Sequence, residues 1–344
     1  MRFTLPFWLA MLVSTVAPQH NTQSSPKSGE GSWVFEYRPE LSQLPPGAEK
    51  FIKRAHGGFA VDRQGSGDVY FHLDSYGIIH LSPDLTESEQ LNCDPELVEG
   101  NGHNTSLAYN DDGVPYLVIP DNKRGKVFFS STEGKILHQM EKPDFLDWFA
   151  SSRFAPTDTL IIDGKLLVAD GYGSRFIFPA KPFGGYVRGI YGGKGVFTTS
   201  HGLDWDPVGK RVAVADREAS QIRYFTTDGK EIVEGKTPVV TPLPSGARPC
   251  DIDYMPDGTA VVGCLKGADG APGEVYILDP KGDILSVVKP KVELGLDNGN
   301  TDIEHVHNAS WTKVGDTLYL LVYAWNPGGF VVLERVDSEE SATP

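Results

Sequence analysis

Residues 200–225 read S-H-G-L-D-W-D-P-V-G-K-R-V-A-V-A-D-R-E-A-S-Q-I-R-Y-F. Leu203 to Asp206 alternates in polarity, the period of a half-buried strand. Arg211 to Ala215 is a β-branched, apolar run, and Gln221 to Phe225 resumes it after a polar break. Pro207-Val208-Gly209-Lys210 supplies the turn between the first two runs. The stretch is a small antiparallel meander with His201 at its entrance and Arg217 at the end of its second run.

The same unit recurs on both sides. It begins H-G-G-F-A-V-D at His56, G-H-N-T-S-L-A-Y at Gly102, P-T-D-T-L-I-I-D at Pro156, P-C-D-I-D-Y at Pro249 and V-H-N-A-S-W at Val306. The equivalent positions His56, His103, Thr157, His201, Cys250 and His307 are separated by 47, 54, 44, 49 and 57 residues. That is the spacing of four-stranded propeller blades with loops of unequal length. Six units predict an all-β, six-bladed β-propeller over residues 33–338, closed so that no long sheet edge stays open. Trp33 to Arg38 precedes the first unit and is expected to supply an outer strand to the last blade. A short helix is expected at Asp144 to Phe154, and no internal domain boundary is visible.

Composition narrows the function. The chain has 344 residues, 38 of them Gly and 25 Pro, as suits a fold made of turns. A net charge of -15 argues against nucleic acid, whose phosphates would be repelled. One positive charge in Met1-Arg2 followed by the apolar run Phe3 to Ala17 reads as a signal peptide over 1–18, too short to span a bilayer. The polar tract 19–32 reads as a disordered linker and 339–344 as a disordered tail. The expected protein is secreted or periplasmic, monomeric and without a membrane span. Of three cysteines, Cys250 and Cys264 flank the turn Met255 to Thr259 in a register that would set them opposite each other. A cross-strand disulfide and a pair of small buried apolar side chains both remain open.

Inner strands line the central channel of a propeller, so one repeat position lies at one depth in every blade. His103, His201 and His307 hold that position in alternate blades, about 120° apart in a six-fold ring. Three neutral imidazoles around one point are a zinc ligand set with an open fourth position for water or substrate. His56 shares the position and His305 lies two residues before His307; each reads as an extra ligand or a hydrogen-bond partner of one. Tyr172 and Arg217 follow the Ala-Asp that ends the second run in adjacent units. A phenol and a guanidinium beside a metal form an acid/base and anion-binding pair.

The segments V-A-D-G-Y-G-S-R-F, S-H-G-L-D-W-D-P and A-V-A-D-R-E-A-S-Q-I-R-Y-F resemble the peptidyl-α-hydroxyglycine α-amidating lyase family, a six-bladed propeller of NHL-like repeats. The resemblance runs from about His56 to Glu334 and is strongest between Pro156 and Phe225. It implies that His103, His201 and His307 bind zinc, that Tyr172 is the catalytic base with a pKa lowered near the cation, and that Arg217 orients the substrate. It implies cleavage of a carbinolamide C–N bond to an amide and glyoxylate, on a small-molecule or peptide substrate held in the channel. Three departures accompany it. Leu73 follows Phe71-His72 where the family has a second arginine, Asn308 stands where an aspartate is tied to a structural calcium (Ca2+), and Gly173 replaces a loop cysteine. Two other classes are compatible with the repeats: a metal-dependent lactonase or hydrolase of the gluconolactonase type, and a non-catalytic exported propeller that binds a protein or glycan.

Overall fold

The computed structural model describes residues 25–146, 153–193 and 195–337. Among them the strands form six antiparallel blades around one axis and one two-stranded ladder, Val233–Glu234 with Thr237–Pro238, that belongs to no blade. Blade one is Phe59–Val61, Val69–Leu73, Gly77–Leu81 and Ser88–Gln90. Blade two is Ser106–Tyr109, Pro115–Asp121, Lys126–Ser131 and Ile136–Met140. Blade three is Asp158–Ile162, Lys165–Ala169, Phe176–Ala180 and Tyr191–Gly192. Blade four is Ser200–Asp206, Arg211–Asp216, Gln221–Phe225 and Val240–Pro242. Blade five is Asp253–Tyr254, Ala260–Cys264, Glu274–Leu278 and Ile284–Val288.

Blade six takes three strands from the C-terminal side, Val306–Val314, Thr317–Ala324 and Gly329–Val336. Trp33–Tyr37 completes it by pairing Phe35 with Arg335 and Tyr37 with Leu333. The tract expected to be a disordered linker needs correction at its end. Lys27–Glu30 is a fifth strand of this blade, paired with Trp33–Tyr37. Its side chains are polar, but the backbone ladder and the Ser28 hydroxyl, which donates to Glu293 at 2.7 Å, hold it there. The expected signal peptide and C-terminal tail, and most of the expected helix at 144–154, lie outside the described residues. Among the described residues no helix is long and apolar enough to cross a membrane.

The apolar alternation of the strands is spent between blades. Six hydrophobic clusters form, one at each junction of neighbouring blades. The junction of the last blade with the first is as apolar as the rest: Leu321, Tyr323, Phe330 and Val332 pack on Phe59, Val69 and Phe71. The core is therefore a ring of wedges, and polar groups collect along the axis.

Candidate metal centre

The side chains at the axis are aimed there by a repeated irregularity. In blade four Ser200 pairs with Asp216 and Gly202 with Ala215, so two residues of the inner strand face one. Blade six does the same, with Val306 opposite Ala324 and Asn308 opposite Tyr323. In blade two the slip falls between the pairs Gly102–Asp121 and Ser106–Val118, and in blade five between Pro249–Cys264 and Asp253–Val261. A bulge of this kind re-aims a side chain out of the ladder. The residue directly after the outer pair is His201, His307, His103 and Cys250 respectively.

All three histidines are buried, at 0%, 0% and 1% exposure for His103, His201 and His307, which leaves each to be satisfied by protein or ion. Their ring centroids are 4.6 to 5.0 Å apart. Nδ1 of His201 donates to the carbonyl of Cys250 at 2.6 Å, Nδ1 of His307 to Gly57 at 3.3 Å, and Nδ1 of His103 to Thr157. A carbonyl only accepts, so all three rings carry the proton on Nδ1 and keep their lone pair on Nε2. Among the described residues Nε2 of His103 and of His307 has no hydrogen-bond partner. Burial holds all three rings well below the usual histidine pKa and so neutral. Neutral, oriented imidazoles with orphaned lone pairs are what a borderline-soft divalent cation requires.

The other candidates fall in different places. Nitrogens of His56, His103 and His307 lie within 4.8 Å of one another. But Nδ1 of His56 accepts from the amide of Asn101 at 3.2 Å, and that amide also donates to Asn122. His56 therefore carries its proton on Nε2, opposite to the three others, and turns an N–H toward the Tyr172 hydroxyl at 3.4 Å. Burial pushes its pKa down to about 4. His305 leaves the site: its Nδ1 meets the carbonyl of Asn326 at 2.6 Å and its ring packs on Trp325. The slip between Val306 and Asn308 cancels the same-face alternation that would have kept it beside His307.

Tyr172 and Arg217 cover the histidines. The Tyr172 hydroxyl donates to Nε2 of His201 at 2.8 Å, and Nη1 of Arg217 donates to the same hydroxyl at 3.0 Å. Both residues hang from aspartates that end the second strand of their blades. Asp170 accepts from the backbone of Ala155 (2.6 Å) and Ser174 (2.7 Å), and Asp216 from that of Thr198 (2.8 Å) and Thr199 (3.1 Å). Burial raises the Tyr172 pKa, with Arg217 pulling against it. In the metal-free protein desolvation outweighs the guanidinium; the lowered phenol expected from the sequence belongs to a site that holds a cation.

The departures have local causes. Leu73 is fully buried in the junction between blades six and one, so position 73 faces the core. A Cβ on Gly173 would collide with Asp170 and with the carbonyl of Arg153, so no cysteine fits that turn. Cys250 and Cys264 are free thiols, because the blade-five slip puts Pro249 opposite Cys264 and turns Cys250 to the axis. Sequence reasoning placed Cys250 among the six equivalent positions and missed it as a donor. Its sulfur lies within 4.8 Å of nitrogens of both His201 and His307.

One residue further along the channel is an oxygen-rich layer. The Asn104 amide donates to Asp158 at 3.4 Å and to Asp251 at 3.3 Å, and the Asn308 amide donates to Asp251. Oδ1 of Asn104 is buried without a partner among the described residues. Asn308 thus settles by hydrogen-bonding a carboxylate where the family resemblance implied an aspartate. Beyond it the channel opens into a cavity of about 570 Å³ lined by Asp204, Asp253, Ser106 and Ser310 among others.

Fold and site together define a six-bladed propeller with a histidine-lined centre closed by a tyrosine and an arginine. No family model matches the chain. It is 30% identical over 146 residues to peptidylglycine alpha-amidating monooxygenase of Rattus norvegicus, covering 39% of this chain and 14% of that protein. The Mus musculus enzyme matches with the same figures. The chain thus corresponds to a small part of the length of those relatives. Among solved structures it is similar to a gluconolactonase from Xanthomonas campestris (TM-score 0.59, 12% identity, 94% of this chain and 99% of that one). A streptogramin B lyase (TM-score 0.57, 13% identity, 88% and 99%) and a regucalcin from Agrobacterium tumefaciens (TM-score 0.52, 13% identity, 83% and 90%) share the architecture. These likenesses establish the fold.

Proposed function

We propose that this protein is a zinc-dependent carbon–nitrogen lyase acting on a carbinolamide, in the manner of peptidyl-α-hydroxyglycine α-amidating lyases. The observation that carries the reading is the pair of buried, unpartnered Nε2 atoms on His103 and His307, beside a His201 whose Nε2 is engaged by Tyr172. His103, His201 and His307 would hold the ion, which supplies Lewis acidity when bound. Tyr172, whose hydroxyl stands 2.8 Å from Nε2 of His201, acts as a proton relay. Its Oη receives the substrate hydroxyl proton while passing its own to the departing amide nitrogen. The C–N bond breaks, the carbinol carbon becomes a carbonyl, and the products are an amide and an aldehyde acid. Arg217 steadies Oη through its 3.0 Å hydrogen bond and carries the positive charge that would face a carboxylate. Since position 73 is buried, that carboxylate would have Arg217 in place of a pair of arginines. The test is release of glyoxylate from an α-hydroxyglycine peptide by zinc-loaded protein. Zinc-loaded protein without that release would sink the reading.

A second reading is a lactonase-type hydrolase. The oxygen layer of Asn104, Asp158 and Asp251 favours it, because hard donors suit a calcium or magnesium ion. Calcium-dependent ring opening of a sugar lactone, with no response to zinc, would select it over the lyase.

A further inference from the structure

We propose that Cys250 is a ligand of the metal at the axis, so that the centre is a mixed nitrogen–sulfur site. This rests on the metal reading above and adds a donor to it.

Two independent observations meet here. The first is the backbone: blades two, four, five and six carry the same one-residue slip at the entrance of the inner strand. In three of them the re-aimed residue is a histidine of the cluster, and in the fourth it is Cys250. The thiol is thus directed to the axis by the same device that directs the imidazoles. The second is the cluster itself: Cys250, His201 and His307 offer ligand atoms mutually within 4.8 Å, and the His307 nitrogen is buried and unpartnered. One further contact ties the residue to the site: the backbone carbonyl of Cys250 fixes the His201 ring at 2.6 Å. No disulfide consumes the sulfur.

The consequence is selectivity. Thiolate binds zinc or cobalt and disfavours calcium, magnesium and manganese, whereas an all-imidazole set discriminates less sharply. With Cys250 on one side of the ion, Tyr172 and Arg217 bound the remaining approach, and a substrate would enter under them.

Cobalt reports the donor directly. The full chain is stripped of metal under reductant and titrated with Co2+, and its absorption spectrum recorded. We expect visible ligand-field bands of a low-symmetry site together with an intense near-ultraviolet sulfur-to-cobalt charge-transfer band. Cys250→Ser should lose the charge-transfer band and keep the ligand-field bands; Cys264→Ser should keep both. Bound cobalt with ligand-field bands but no charge-transfer band, or a band that survives Cys250→Ser, overturns the sulfur ligand and leaves the histidine centre standing. Failure of the parent protein to bind cobalt at all overturns both.

Discussion

The hydroxyl of Tyr172 sits 2.8 Å from Nε2 of His201, the atom a metal would need. A neutral imidazole has one lone pair, so the hydroxyl and the ion compete for it. Tyr172→Phe removes the competitor and leaves the ligands intact. On the proposed lyase reading zinc should be retained with equal or higher affinity, while glyoxylate release falls about 10²- to 10⁴-fold with loss of the proton relay. Calorimetric zinc titration beside a turnover assay checks both halves; parent-level turnover in the variant would remove Tyr172 from the chemistry.

Replacing a proposed ligand should lower metal content. His307 belongs to both groups of metal-competent side chains, so His307→Ala should cost more zinc than His56→Ala. His56 carries its proton on the nitrogen that faces Tyr172, and its loss should lower turnover more than zinc content. Metal analysis of the two variants after dialysis decides. Equal zinc loss would mean that His56 changes tautomer and joins the ligands.

The acidic end of the channel predicts a pH dependence. Burial, then the neighbouring Asp253 charge, pushes the Asp204 carboxyl up to about 7. Its unfolded value is near 3.9. Between about pH 4 and pH 7 the folded state keeps a proton that the unfolded chain releases, so its contribution to stability falls as pH rises through that window. Asp204→Asn keeps an oxygen for the Tyr254 N–H, which Asp204 accepts at 2.6 Å. The variant should gain on the parent across this range, by about 1–3 kcal/mol at the upper end. Melting curves of metal-free protein at several pH values would show the gap widening; parallel curves would contradict it.

Phe35 tests the closure. It is fully buried in the cluster between blades five and six, on the strand that comes from the other end of the chain. Phe35→Ala should cost about 3–5 kcal/mol, as for other large buried rings. A loss under about 1 kcal/mol in urea unfolding would mean that the strand contributes little to the ring.

The propeller was legible because its repeat is long and its inner-strand entrances share a pattern. Loop insertions vary the spacing without disturbing the position of His56, His103, Thr157, His201, Cys250 and His307. The same overlay gathers the rings of His103, His201 and His307, whereas the ligand atoms within 4.8 Å of one another group as His56, His103 and His307 and as His201, Cys250 and His307. What escaped was whatever depends on a single-residue slip of register. Counting across the Met255 to Thr259 turn sets Cys250 opposite Cys264, but the bulge substitutes Pro249 and frees the thiol for the axis. The same slip removes His305. The tautomer of His56 depends on Asn101, a neighbour the repeat pattern does not single out. The strand at Lys27–Glu30 has no apolar signal to read, since its edge position asks only for backbone bonds.

The sixth blade has one consequence for how the protein is made. Its sheet joins Trp33–Tyr37 to Gly329–Val336, and His307 bonds the carbonyl of Gly57 across a separation of 250 residues. Blades one to five can be laid down as the chain emerges, but the seam between first and last closes only when nearly all of it is available. Contacts so distant in sequence pay their loop-closure entropy late. His307 arrives with that seam, so its part of the centre is finished in the last act of folding. A metal ion waiting there would act as a latch on the closed ring, and its removal should be felt first at the seam.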